Sequence, residues 1–315
     1  MSYQVVVTGG AGFIGSHIVD ALVARGDQVT VIDNLATGKR ENLEQVWRQI
    51  RFVEADICDE VAVADAMRGA DFVIHQAALA SVPLSVEQPL LVNRACVTGT
   101  LVVLEQARRA GVRRVIYAGS SACYGDSPFS AKRETDTPQT LSPYAVAKLA
   151  GEYYCQSYYL THGLETVCLR YFNVFGPRQD PNSHYSAAIP RFITRMLAGQ
   201  RPIVFGDGHQ SRDFTYVGNV VHANLLALSE VKAAGQTFNI ADGRATTVLS
   251  LLALLGQAIS RDVHPEFQPA RPGDIRDSLA DISAAVKTLG YRPTVDLAQG
   301  LKRSIDYYRQ LAGTV

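Results

Sequence analysis

An excess of charge of either sign is missing from this 315-residue chain: 30 Lys and Arg balance 30 Asp and Glu, for a formal net charge of +0 at pH 7. Without a basic surface, binding to DNA or RNA is not expected. Cysteine is scarce and unpatterned. Cys58, Cys96, Cys123, Cys155 and Cys168 are odd in number, fall mostly in apolar runs and form no CxxC pair, so they read as reduced core thiols, with no metal site. Long hydrophobic runs are lacking too. The first apolar run, 5–7, ends at Thr8 and glycines, no leading cationic segment with a cleavage site precedes it, and no stretch is long enough to span a bilayer. A cytoplasmic protein with no membrane partner is expected. What the chain does have is a core: 47% hydrophobic and 19% charged residues argue against disorder and support one large α/β domain or two unequal lobes.

Short β-branched runs recur at 4–7, 28–32, 50–54, 72–75, 115–117 and 166–170, each with the look of a buried strand. Helical periodicity fills the gaps at 13–25, 61–67, 92–109 and 143–161, which predicts a doubly wound parallel sheet covered on both faces. Beyond Gly176-Pro177 the texture changes to Pro- and Gly-punctuated loops joined to helices at about 187–197, 247–259 and 282–289. A further strand is expected at 237–241, and 212–221 leads into another helix. The predicted organisation is a Rossmann domain over 1–175 with a return at 213–245, and a smaller α/β lobe over 176–212 and 246–315.

The segment Thr8-Gly9-Gly10-Ala11-Gly12-Phe13-Ile14-Gly15 follows the first strand and opens the first helix, the context that a dinucleotide fingerprint requires. Gly9 and Gly10 permit a tight turn, Gly12 lets backbone approach a pyrophosphate, and Gly15 lets helix pack on strand. Asp33 stands at the end of the second strand, where a carboxylate accepts ribose hydroxyls and repels a 2′-phosphate, which favours NAD over NADP. Lys39 and Arg40 are the residues that leave room for NADP.

Tyr144 and Lys148 lie four apart in a helical run, hence on one face. A neighbouring ammonium and the positive nicotinamide ring both favour the phenolate, so Tyr144 is the expected proton-transfer residue. Ser120 and Ser121 follow the fifth strand, at the carboxyl edge where such sheets bind ligands, and a serine hydroxyl there is placed to bridge a reacting oxygen.

The fingerprint TGGAGFIG, the serine before Tyr124-Gly125 and Tyr144-x-x-x-Lys148 together resemble the extended short-chain dehydrogenase/reductases over essentially the whole chain. Residues 170–177 (RYFNVFGP), 211–214 (SRDF) and 271–274 (RPGD) resemble the nucleoside-diphosphate-sugar epimerases and dehydratases of that superfamily. The resemblance implies a cofactor site of Gly9, Gly12, Phe13, Ile14, Gly15, Asp33 and Asn34. It adds Asp56 and Ile57 beside adenine, Ala77, Ala78 and Asn93 along the groove, and Phe172 near nicotinamide, with Tyr144 and Lys148 reaching the cofactor as well. It also implies a UDP-sugar site: Ser120 and Asn173 at the sugar, Arg212 and Arg271 on the diphosphate, Asp274 at the ribose, and Ile203, Val204 and Phe205 flanking uracil. Relatives of this kind commonly form homodimers through the helices at 92–109 and 143–161.

Dehydratases and decarboxylases of this group carry carboxylates beside the active-site serine or threonine, whereas this chain has Ser121 and Ala122. C4 epimerisation through a 4-keto sugar is therefore the implied reaction. Ser278, seven residues after Arg271, matches a place where 4-epimerases restricted to glucose and galactose resemble one another in carrying a bulky tyrosine. A serine leaves room for N-acetyl, so UDP-N-acetylglucosamine is favoured, and the stretches SSACYGD and FNVFGPRQDPN resemble that subgroup, with Ala122 departing where a hydroxyl is common. Two alternatives stand beside it. One is UDP-glucose or UDP-glucuronate 4-epimerisation, the latter needing a cation such as Arg276 or Arg94 near the sugar C6. The other is a non-catalytic NAD-sensing protein on the same fold, which would need neither the tyrosine nor the lysine.

Overall fold

A computed structural model describes residues 2–127, 131–181, 188–270 and 275–313. Its main sheet takes the strands β1 (Gln4–Thr8), β2 (Gln28–Asp33), β3 (Ile50–Glu54), β4 (Phe72–His75), β5 (Arg114–Ser120) and β6 (Glu165–Tyr171). Four short strands follow in sequence, β7 (Val174–Phe175), β8 (Ile203–Phe205), β9 (Ser211–Asp213) and β10 (Thr215–Tyr216), before β11 (Gln236–Ile240) returns to complete the sheet. The order is β11-β6-β5-β4-β1-β2-β3, with every pairing parallel. The chain builds outward from β1 to β3, then restarts at β4 on the other side of β1. Ligands of such sheets bind at that reversal, outside the carboxyl ends of β1 and β4.

Successive side chains of a strand face opposite ways, and here both ways are buried. Val5 and Val7 point into a core formed with α1 (Phe13–Ala24), while Val6 joins a second core on the far face. That far face is covered by α2 (Glu60–Ala66) and by helices further along. These are α5 (Gly99–Arg109) and α6 (Pro143–His162), while α3 (Val82–Glu87) and α4 (Pro89–Asn93) pack on α6. The continuous helix expected at 92–109 is in fact interrupted by a π-helical turn at Arg94–Thr98 between α4 and α5. Gly99 lies so close to the Ile57 side chain that a Cβ would collide with it, and Cys58 Sγ donates to Arg94 O at 3.4 Å. Tertiary contact on the cofactor side thus accompanies the change of pitch, as it often does at functional sites.

The remaining helices are α7 (Ala188–Leu197), α8 (Val217–Ser229), α9 (Val248–Ile259), α10 (Ser283–Leu289) and α11 (Leu297–Leu311). A third core joins α7, α9 and α11 through Ile189, Phe192, Leu251, Leu255, Leu301 and Ile305. The last helix was not expected. Asp296 caps it by accepting from Gln299 N at 2.8 Å, and Leu301, Ser304, Ile305 and Tyr308 form its buried stripe. Helix α10, assigned above to the smaller lobe, instead sends Ala285 and Leu289 into the core beneath the main sheet, because it packs on β11. The segment 211–213 is a strand: β9 lies between β12 (Ala245–Thr247) and β14 (Asp277–Ser278), while β8 pairs with β13 (Glu266–Gln268).

Candidate active site

At the reversal point the glycine turn closes on the β4 exit. Gly9 adopts φ +68°, and a Cβ there would meet Ala77 N at 2.6 Å, so only glycine permits the approach. A Cβ on Gly15 would run into Gly9 O. Gly12 is the N-cap of α1 and offers no side-chain acceptor to the first amides of the helix, the groups that bind a pyrophosphate in such turns. Phe13 and Ile14 begin that helix and pack partly on the third core. Asp33 is buried and accepts from Ala11 N at 2.9 Å and Leu35 N at 2.8 Å, while desolvation raises its pKa. Asn34 donates to Asp56 at 3.0 Å, and Ile57 lies beside them, almost fully buried. Ala77 N donates to Thr8 Oγ1 at 3.3 Å, Ala78 packs in the small cluster that also holds Tyr144, and Asn93 is exposed at the end of α4. This cradle fits a dinucleotide. The two cations that left room for NADP are spent elsewhere: Lys39 pairs with Asp180 and Arg40 with Glu54.

One placement differs from expectation. Phe172 is 0% exposed, its ring packed with Cys123, Tyr124 and Ala241 at the end of β6, so its side chain presents no surface to a nicotinamide. An apolar ring facing Tyr124 at 6.0 Å is held in the core by area burial.

Ser120 ends β5, and Ser121 opens the short 3-10 turn that follows, with Ser120 Oγ accepting from Ala122 N at 3.2 Å. Helix α6 starts at Pro143 with Ser142 as its cap, accepting from Ala145 N at 3.2 Å, which fixes Tyr144 in the first turn and Lys148 one turn on. Lys148 is 5% exposed; its Nζ donates to Ala118 O at 2.8 Å and lies 5.0 Å from the Tyr117 ring centre. Burial pushes its pKa down. Tyr144 is half-buried, and desolvation moves its phenol well above the ordinary value of about 10, partly offset by the Ser120 hydroxyl. Burial is thus the chief influence on the phenol in the protein alone.

Beyond β6 the chain enters a cavity of roughly 260 Å³ whose lining includes Asn173, Arg191, Ile203, Val204, Phe205 and Arg212. Ser120 pairs with Tyr171 in the sheet, so Asn173 comes two residues after the partner of Ser120. Asn173 has φ +32°, a conformation Asn tolerates, and its Nδ2 donates to Asp213 O at 3.2 Å. Ser278, half-buried in β14, is paired with Arg212. Arg271 and Asp274 lie outside the described residues. Arg191 was not anticipated: it sits on the flank of an amphipathic helix, and its pattern gives no sign of a ligand. Asp213 was quoted only as part of a motif. It is fully buried and accepts from the amides of Asp242 at 2.9 Å, Gly243 at 3.1 Å and Ala280 at 3.3 Å, tying β9 to the exits of β11 and β14.

The doubly wound sheet, the glycine turn and the buried acid at β2 define a dinucleotide-binding enzyme. The chain belongs to the NAD dependent epimerase/dehydratase family, whose model matches residues 5–241. Among solved structures it is similar to a UDP-glucose 4-epimerase of Thermotoga maritima with UDP-glucose, at 40% identity, covering 98% of this chain and 99% of that one, with a TM-score of 0.94. It is equally similar in fold to a UDP-N-acetylglucosamine 4-epimerase of Methanobrevibacter ruminantium in complex with UDP-N-acetylmuramic acid, at 39% identity, 98% and 99% coverage and a TM-score of 0.94. A UDP-glucuronic acid 4-epimerase of Bacillus cereus in complex with UDP-glucuronic acid and NAD matches at 32% identity, 98% and 99% coverage and a TM-score of 0.89.

Proposed function

We propose that this protein inverts C4 of a UDP-hexose through a 4-keto intermediate, with UDP-N-acetylglucosamine as its preferred substrate. The broader statement, that it is a UDP-sugar 4-epimerase, follows from its family and from relatives named for that activity at 40% and 39% identity over 98% of the chain. The observation that carries the reading is the gathering of Ser120, Tyr144 and Lys148 at the carboxyl edge of β5, one strand from the glycine cradle across β4 and beside Asn173.

NAD, held by the glycine turn at Gly9, Gly12 and Gly15 and by Asp33, would supply reversible hydride acceptance at C4, and the positive charge of its ring would favour the Tyr144 phenolate. Tyr144 takes the C4 hydroxyl proton and later gives it back. Ser120 donates to the C4 oxygen, and Lys148, one helical turn beyond Tyr144, is anchored on Ala118 O. Arg212 grips the diphosphate, so the hexose is bound chiefly through its nucleotide and turns over between the two hydride transfers. The net redox change is zero.

Ser278 supports the N-acetylated sugar: it is small, and its strand runs beside Arg212. UDP-glucose and UDP-glucuronate use the same anchor and form the other arms of the test. Proton NMR of each UDP-sugar incubated with the protein is expected to show UDP-N-acetylgalactosamine formed with the highest kcat/KM. Ser278→Tyr is expected to abolish that conversion and spare UDP-glucose. Equal loss on both sugars rejects the gate, and no inversion of any of the three rejects the epimerase reading. Val146, Tyr153 and Leu160 leave apolar surface exposed on α6, which supports a homodimer through the helices at 92–109 and 143–161.

A further inference from the structure

Three arginines line the cavity beside β8, and they differ in how their donors are used. Arg195 Nε donates to Arg201 O at 2.8 Å. Arg212 Nη1 donates to Ser211 O at 2.8 Å and Arg276 O at 3.0 Å. Arg191 is half-buried, yet among the described residues its guanidinium makes no hydrogen bond, ion pair or ring contact.

Two further features work against a cation at this position. Arg191 is the fourth residue of α7, at the positive end of the helix dipole, and the first turn of that helix contains no acidic residue. The neighbouring wall is apolar, formed by Ile189, Phe192, Ile203, Phe205 and Val248. A partly desolvated charge with no counter-charge is costly, and a guanidinium recovers that cost best when a phosphate or carboxylate meets its planar fork. The arrangement is favourable only once an anion enters the cavity.

We propose that Arg191 is a substrate-binding residue that engages the diphosphate of the bound nucleotide alongside Arg212. The inference rests on the nucleotide-sugar reading above. The apolar wall takes the base and Arg191 takes the anionic end, so its contribution falls on the phosphates and not on the nucleoside.

Binding of UDP and of uridine to the full-length, NAD-loaded protein, measured by calorimetry and by ligand-observed NMR, separates the possibilities. Arg191→Ala is expected to weaken UDP binding by about ten- to a hundredfold, the range for a lost charged hydrogen bond, and to leave uridine binding within about twofold. Arg191→Lys is expected to fall between, because it keeps the charge and loses the fork. The melting temperature without nucleotide should change little in either variant, since no hydrogen bond or ion pair of the guanidinium to the described residues is removed. Unchanged UDP affinity in Arg191→Ala overturns the proposal, as does equal weakening of UDP and uridine, which would make Arg191 part of the base wall. Failure of the unsubstituted protein to bind UDP at all would instead overturn the nucleotide-sugar reading on which it rests.

Discussion

Around the glycine turn polar groups are tied to the chain itself, whereas along the cavity beside β8 one cation, Arg191, has no partner among the described residues. Asp33 accepts two backbone amides, Lys148 donates to Ala118 O, and both ring nitrogens of His75 are bonded, to Thr8 at 2.6 Å and Thr100 at 2.9 Å. On the cavity side the strands are two or three residues long, and Arg191 faces space with its donors unspent. The contrast matches two kinds of ligand. A cofactor that returns unchanged after every turnover is served by a rigid, self-satisfied cradle, while a substrate that must enter, rotate and leave is served by groups that complete their bonding only when it arrives.

The largest test of that division is Tyr144→Phe, which removes one hydroxyl on the cofactor side of the site. Turnover is expected to fall about 10²- to 10⁴-fold, the usual contribution of a positioned acid-base group, with NAD content and UDP affinity unchanged. Retention of turnover within tenfold would move the proton to another residue and break the comparison at its centre.

Gly15→Ala tests the rigidity of the cradle directly. Its Cβ would strike Gly9 O, a backbone atom that cannot swing aside, so helix α1 must shift off the turn. Overpacking of this sort costs about 1–3 kcal/mol. The expected outcome is a lower melting temperature together with loss of dinucleotide from the purified protein, read from its absorbance after denaturation. A variant that keeps its cofactor would show that the turn yields more easily than its contacts imply.

The cradle was the part most open to sequence reasoning, because each of its demands falls on a residue type that has few substitutes: glycine at positive φ, an acid at the end of β2, β-branched runs buried on both faces. The sheet strands observed match those runs to within a residue or so at their ends, except β5, which runs three residues further, to Ser120. Features set by tertiary contact were less legible. The π-helical turn at Arg94–Thr98 accompanies the approach of Gly99 to Ile57, which no helical periodicity encodes. Phe172 sits within a ligand-binding motif, but whether its ring faces cleft or core is decided by Tyr124 and Cys123. Helix α11 does carry a stripe at Leu301, Ile305 and Tyr308, diluted by Lys302, Arg303, Asp306 and Arg309, and the Asp296 cap was its clearest signal. For Arg191 the sequence has no voice, since the absence of a partner depends on what α7 faces.

The two sides should also respond oppositely to pH, a smaller effect that sharpens the comparison. Burial, with a further push from the Lys148 charge, lowers the pKa of His75 to about 3, against about 6.5 when unfolded. Below pH 6.5 the unfolded chain takes up a proton that the folded chain refuses, so this side loses stability on acidification by about 1.4 kcal/mol per unit until the folded pKa is reached. Asp213 behaves in the reverse sense. Burial raises its pKa to about 7 despite the amides of Ala280, Asp242 and Gly243, and the nearby Asp242 charge adds to the rise. From its unfolded value near 4 up to about 7 the fold holds a proton that the unfolded chain has released, so stability falls as pH rises and is level beyond. Thermal unfolding followed across pH 4 to 8 should therefore show His75→Gln losing about one proton of acid-side dependence, and Asp213→Asn losing the opposite slope. If both variants kept the slopes of the unsubstituted protein, neither group would be titrating on unfolding.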